Sequence, residues 1–187
     1  MLAEDRVQLY NKAFPKYPGM WYDKNWMLGI WSIGNCYKND SKLYGAYPHG
    51  YLKRIMSIFP DKKDILHVFS GSLPPGPYLR VDINPDNQPD IVCNAEQLSE
   101  SVKGEFDLFM LDPPYQKEDA VKYGYKLPNK AQVIKECYKL AKPGAHLVFM
   151  DERLPMYRKD QWKRIGEIYI SRSTNHRVRG VFIFEKQ

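Results

Sequence analysis

Short apolar runs alternating with helical segments predict an α/β domain on a mostly parallel sheet that closes with an antiparallel C-terminal hairpin. Three observations carry this. Phe106–Leu111, FDLFML, is an almost unbroken apolar run bounded by breakers, the pattern of a strand buried on both faces. Residues 130–140 are amphipathic at helical spacing and close on Lys142-Pro143-Gly144, and residues 146–150 (HLVFM) follow as a further buried strand. Residues 168–170 and 181–184 flank a polar loop and read as the terminal strand pair.

The remaining elements follow in order. Residues 1–45 are rich in aromatics and resist assignment; Met20-Trp21-Tyr22 and Trp26–Ile33 are expected to cover one edge of the core. A helix is expected over residues 48–59, where Leu52, Ile55, Met56 and Phe59 share one face. Residues 65–69 make a short strand, Ser70-Gly71-Ser72 a loop, residues 78–82 a second strand and residues 91–93 a third. Residues 157–164 look helical. Ligands of such sheets bind beyond the carboxyl ends of the strands. Ser70-Gly71, Asp82 and the Asp112 segment therefore gather on one rim.

Composition narrows the class. The 187 residues suffice for a single domain with a sizeable core, and the 43% hydrophobic and 27% charged content is that of a globular protein. No apolar run approaches the roughly 20 residues of a membrane helix, and the polar start MLAEDR lacks a signal-peptide core. Cys36, Cys93 and Cys137 show no CxxC spacing, which argues against a disulfide framework or a metal site and for an intracellular, cytoplasmic setting. A net charge of +6 suits a polyanionic partner such as nucleic acid, although a solvated lysine surface explains it equally well.

The strand at Phe106–Leu111 ends in Asp112-Pro113-Pro114-Tyr115. One proline is enough to stop a strand, so the second, flanked by a carboxylate and an aromatic ring, implies a rigid structure with a use. This segment resembles the DPPY catalytic motif of S-adenosylmethionine-dependent amino-methyltransferases, which modify adenine N6 or cytosine N4. The resemblance implies a Rossmann-like class I methyltransferase fold, with a single domain over residues 1–187: an aromatic-rich extension at 1–45 and a catalytic core at 46–187. It assigns catalysis to Asp112, Pro113, Pro114 and Tyr115. The chemistry is intelligible, because an exocyclic base amine is a poor nucleophile with its lone pair delocalised into the ring. A carboxylate at Asp112 and a carbonyl at Pro113 that accept its hydrogens free that lone pair, and Tyr115 offers a face for stacking. A target in a duplex is first flipped out.

The resemblance extends along the chain. "ILHVFSGS" is similar to the family's cofactor loop, which places Phe69, Ser70, Gly71 and Ser72 against S-adenosylmethionine. Tyr47-Pro48 resembles the start of the helix that precedes it, Asp82 the acid that binds the cofactor ribose, and Asn94 and Ala95 the adenine contact. Leu140-Ala141-Lys142-Pro143-Gly144 is similar to the family's LKPGG turn. One departure is plain: only eight residues, Ser72 to Leu79, with Pro74, Pro75 and Pro77 among them, join the first two core strands, so the crossover helix cannot form. No stretch is long enough for a recognition domain. Target contacts are expected from two loops, residues 116–130 with Lys117, Lys122, Tyr123, Tyr125, Lys126 and Lys130, and residues 171–179 with Arg172, Asn175, His176, Arg177 and Arg179. The expected partner is nucleic acid, DNA ahead of RNA, with a homodimer or a partner subunit as a further source of recognition. A binding subunit with a degenerate cofactor pocket is the alternative.

Overall fold

The computed structural model describes residues 1–34, 47–172 and 178–187. Among the positions singled out above, Cys36, Asn175, His176 and Arg177 lie outside the described residues, as does the side chain of Arg172. In chain order the elements are α1 (Ala3–Ala13), β1 (Met20–Asp23), β2 (Trp26–Ile33), α2 (Tyr51–Ile58), β3 (Ile65–Val68), β4 (Leu79–Asp82), β5 (Ile91–Val92), α3 (Leu98–Ser101), β6 (Phe106–Leu111), α4 (Lys117–Lys122), α5 (Lys130–Lys139), β7 (Ala141–Asp151), β8 (Trp162–Arg172) and β9 (Val178–Lys186). The strands form one sheet in the order β1-β2-β8-β9-β7-β6-β3-β4-β5. β5, β4, β3, β6 and β7 run parallel, β9 is antiparallel to both β7 and β8, and β2 rejoins parallel to β8.

Register, more than strand length, positions the rim. Val68 stands opposite both Val81 and Leu111. The residues that follow them, Phe69, Asp82 and Asp112, therefore stand side by side at this end of the sheet, Asp82 as the last residue of β4. The central strands are apolar in both directions because both faces are covered. One face packs Ile65, Leu108, Met110, Val148 and Ile183 under α1 and α2. The other packs Leu66, Val68, Phe109, Leu111, Leu147 and Phe149 under α3 and α5.

The aromatic N-terminal segment is woven into this framework. Arg6 of α1 is buried and donates to both Asp61 carboxylate oxygens (2.6 and 3.0 Å) and to the Ile58 carbonyl at 3.0 Å. Arg54 of α2 donates to the Tyr10 hydroxyl at 2.9 Å and lies over the Tyr17 ring at 4.4 Å. These two arginines, each of which satisfies its charge on the other helix's side, pin α1 to α2. Gly166 lets β2 approach β8, because a Cβ there would sit 2.7 Å from the Met27 carbonyl oxygen.

Three expectations need correction. Residues 157–164 are not helical. Arg158 and Asp160 pair at 2.6 Å around a turn, and β8 begins at Trp162, whose ring is fully buried beside Phe109 and Tyr138. Trp162, Ile168 and Ile170 bury at strand spacing, and that burial outweighs a weak helical pattern. Without that helix the sheet face at Trp21, Ile30 and Tyr169 stays exposed. The Lys142-Pro143-Gly144 segment, read as the stop after the helix, lies within β7. Ala141 already pairs with Phe106, and the register slips before Leu108 meets His146. Proline and a left-handed glycine (φ 68°) there build a bulge. The strand expected over residues 65–69 ends one residue early, because Phe69 turns left-handed.

The proline-rich link between β3 and β4 holds no helix, as the prolines require. Its place is taken by polar and ring contacts. Buried Arg80 donates to the Leu73 carbonyl at 2.9 Å and pairs with Asp90 at 2.8 Å, and the Tyr78 ring meets His67 edge-on at 4.7 Å.

Two buried histidines set the pH dependence of stability. Burial lowers His67 to about 4, and burial with the charge of Arg6 lowers His146 to about 3. Both stay neutral in the native state while the unfolded chain protonates them near 6.5. Stability is thus complete above pH 6.5 and falls as pH drops toward 4, by roughly 1.4 kcal/mol per pH unit for each histidine. Urea unfolding at pH 7, 6 and 5 measures this; a flat free energy across that range contradicts it.

Candidate active site

The rim is built from the loops that leave β3, β4, β5 and β6. Phe69 adopts φ 61° and Gly71 φ 51°. A left-handed phenylalanine is strained, and such strain persists only where surrounding contacts hold it. Those contacts are visible. The Ser70 amide donates to the Val81 carbonyl at 3.0 Å and the Gly71 amide to Asp82 Oδ2 at 2.8 Å. The other Asp82 oxygen accepts the Asn84 amide at 2.9 Å. One buried carboxylate therefore joins the β3 loop to the end of β4. After β5, Asn94 caps a 3-10 turn (Ala95–Gln97) by accepting the Glu96 amide at 3.0 Å.

These loops enclose a cavity of about 560 Å³, in the size range of small-molecule sites. Phe69, Gly71, Asp82, Asn94, Ala95, Asp112, Pro114, Tyr123 and Lys126 all stand on its wall. The wall is mostly apolar, and its charged side chains are three carboxylates, Asp82, Glu96 and Asp112, against one cation, Lys126. A cleft of one sign attracts the opposite charge. With no helix opening behind Gly71, the loop also lacks the N-terminal amides that cradle a pyrophosphate.

Asp112 enters this cavity at the end of β6. The Tyr115 hydroxyl donates to Asp112 Oδ1 at 2.7 Å, and Arg179 of β9 lies over the Tyr115 ring at 4.9 Å. Burial and the Asp112 charge hold the Tyr115 hydroxyl well above its ordinary range, and the same two causes act on Tyr47 and Tyr51. Tyr115 therefore remains a protonated donor to the carboxylate. The Tyr115 carbonyl accepts Lys130 Nζ at 3.1 Å, and that ammonium also donates to buried Asp151 at the end of β7.

The other expected site residues fall around this centre. Pro113 is buried beneath the turn, and Pro48 is buried before α2. Tyr47 packs under the sheet, its hydroxyl 3.1 Å from His67 Nδ1. Ser70 is buried and Ser72 half-buried beside the cavity wall, not on it. Lys117 and Lys122 are exposed on α4, away from the cavity. Tyr123 and Lys126, read as polyanion contacts, stand on the cavity wall, and Lys130, read the same way, is turned inward to Asp151. Sequence reasoning passed over Asn84, Asn87, Cys93 and Glu96 on the wall, and Asp151 behind the motif. Asp151 carried the same signal as Asp82 and Asp112, a carboxylate at the end of an apolar strand.

No protein-family model matches the sequence, and no curated protein matches it. Solved structures do. TrmN from Thermus thermophilus superposes with a TM-score of 0.60 over 79% of this chain and 51% of TrmN, at 14% identity. The chain thus spans about half the length of that protein. N-methyltransferase NodS from Bradyrhizobium japonicum WM9 gives 0.46 at 14% identity over 98% of this chain and 94% of its own. Its complex with S-adenosyl-L-homocysteine gives 0.44 at 12% identity, over 98% and 86%. At these identities the likeness speaks for the fold, which is the Rossmann-like α/β methyltransferase fold with its antiparallel C-terminal hairpin.

The Asp82 clasp has a direct test. Asp82→Ala leaves the Gly71 and Asn84 amides without their acceptor, at a cost of about 1–3 kcal/mol. Amide hydrogen exchange at these two residues should rise by at least tenfold while amides of β6 and β7 stay protected. Unchanged protection at Gly71 contradicts the clasp.

Proposed function

We propose that the chain is an S-adenosylmethionine-dependent methyltransferase that acts on the exocyclic amine of a nucleobase, with adenine N6 in DNA as the leading target. The observation that carries this reading is the shared cavity: the Asp112 carboxylate opens onto the space lined by Gly71, Asp82 and Asn94. In this reading Asp82 faces the ribose hydroxyls, Gly71 admits the cofactor close to the backbone, and Asn94 and Ala95 meet its adenine. The acidic lining favours the cationic sulfonium. S-adenosylmethionine supplies an electrophilic methyl group.

The chain's own residues prepare the nucleophile. Asp112 accepts one amine hydrogen and the Pro113 carbonyl accepts the other, which draws the nitrogen toward a tetrahedral shape. The Tyr115 hydrogen bond holds Asp112 in place. Asp112 is the group positioned to receive the proton that the amine sheds after transfer. Lys117 and Lys122 on α4 and Arg179 on β9, together with Arg172 and Arg177, supply contacts to the phosphate backbone, and Tyr115 with Tyr123 the aromatic faces. Residues 1–45 serve as the extension to a catalytic core at 46–187, and target recognition draws on a second copy or a partner subunit.

A second reading has one observation of its own. Both Asp82 oxygens already accept backbone amides, and the crossover helix is missing. That suits a binding subunit with a degenerate pocket; an enzyme whose base is presented in RNA differs from the first reading only in its substrate.

Transfer of labelled methyl groups to pooled DNA and RNA oligonucleotides decides among these readings. The enzyme reading expects N6-methyladenine in DNA, lost by at least 100-fold in Asp112→Ala with the fold intact. Product in RNA alone moves the substrate class; N4-methylcytosine moves the base. Absence of product from either pool favours the binding subunit. Affinity for DNA should fall steeply between 50 and 200 mM salt, and a flat response removes the basic groups from the interface.

A further inference from the structure

Lys130 stands where a cation is least favoured. It is the first residue of α5, and a helix N-terminus carries partial positive charge. Its side chain is drawn in nonetheless, 18% exposed, to the carboxylate of Asp151, which is 2% exposed. Buried ion pairs are weak sources of stability, because desolvation of both partners offsets their attraction. Burial pushes the Asp151 carboxyl up against the pull of Lys130. Two unfavourable terms, the helix N-terminus and desolvation, thus meet in one pair. Beyond Asp151, the ammonium reaches the main chain of the motif, at the Tyr115 carbonyl.

We infer that Lys130 and Asp151 are positioning residues that set the Asp112–Tyr115 turn. Asp151 is fixed at the end of β7 and also accepts the Glu152 amide at 2.7 Å. It holds the Lys130 ammonium, and the ammonium fixes the direction of the Tyr115 carbonyl. The tyrosine hydroxyl then meets Asp112 Oδ1, and the carboxylate keeps its place on the cavity wall. β6 ends at Leu111, and neither Pro113 nor Pro114 has an amide to donate, so a side chain from another element contributes to holding the turn. The kinetic consequence rests on the methyl-transfer reading; the geometric consequence does not.

The double variant K130M/D151L separates positioning from stability. Apolar replacement of a buried ion pair at similar volume is commonly neutral or stabilising, so the variant is expected to melt near or above the wild type. Its crystal structure should show the Tyr115 carbonyl turned and the Tyr115–Asp112 hydrogen bond broken. Its kcat for methyl transfer should fall about 10- to 100-fold, with KM for the cofactor changed less than twofold. A motif turn that superposes on the wild type overturns the inference, as does full activity. Should the wild type transfer no methyl group, the functional reading fails alone, and the two crystal structures still decide this one. If the double variant does not fold, Lys130→Gln, which keeps a donor without charge, is compared with Lys130→Met. Glutamine should retain most of kcat and methionine lose it; equal rates contradict the assignment.

Discussion

The rim of this sheet depends on one carboxylate. Asp82 accepts amides from Gly71 and Asn84, and by doing so holds two loops against each other that no helix packs behind. In a doubly wound sheet the crossover helix normally fixes the first loop from below. Here Pro74, Pro75 and Pro77 exclude that helix, and local hydrogen bonds replace it. The left-handed Phe69 and Gly71, the Arg80–Asp90 pair and the Tyr78–His67 contact are all parts of that replacement. The loop that results is short and strained, and hydrogen bonds from Ser70 and Gly71 hold it to β4. It brings backbone close to the cavity without presenting a row of amides to an anion.

A second set of polar contacts does the same for the Asp112–Tyr115 turn. Tyr115 donates to Asp112, Arg179 covers the tyrosine ring, and Lys130 fixes the carbonyl behind it. The two devices meet at one cavity because Val68 is in register with both Val81 and Leu111. A slip of one residue in either pairing turns Asp82 or Asp112 to the opposite face. Pairing in the sheet therefore places the chemistry, and the polar contacts refine it.

Much of this was legible in the sequence. β6 was read to the residue because its apolar run is bounded on both sides, and the motif followed from its position at that boundary. The absent crossover helix was legible from three prolines. The helix expected over residues 157–164 was not, since Trp162 lies at the far end of the hairpin, where it pairs with Lys186, and its ring is buried against Phe109 and Tyr138 of other elements. The N-terminal elements escaped for the same reason: their burial depends on Arg6 reaching Asp61 and Arg54 reaching Tyr10, contacts that no local pattern announces. Charge misled in one instance. Lys130 reads as one of a run of solvent-facing cations, and only the fold reveals that Asp151 waits beneath it.

We propose that the cavity beside Asp112 holds S-adenosylmethionine. Calorimetric titration of the purified chain with S-adenosylmethionine and with S-adenosylhomocysteine tests it most directly. The account expects micromolar binding of both, lost in Asp82→Ala and kept in Asp112→Ala. No heat at millimolar cofactor, or binding unaffected by Asp82→Ala, contradicts it.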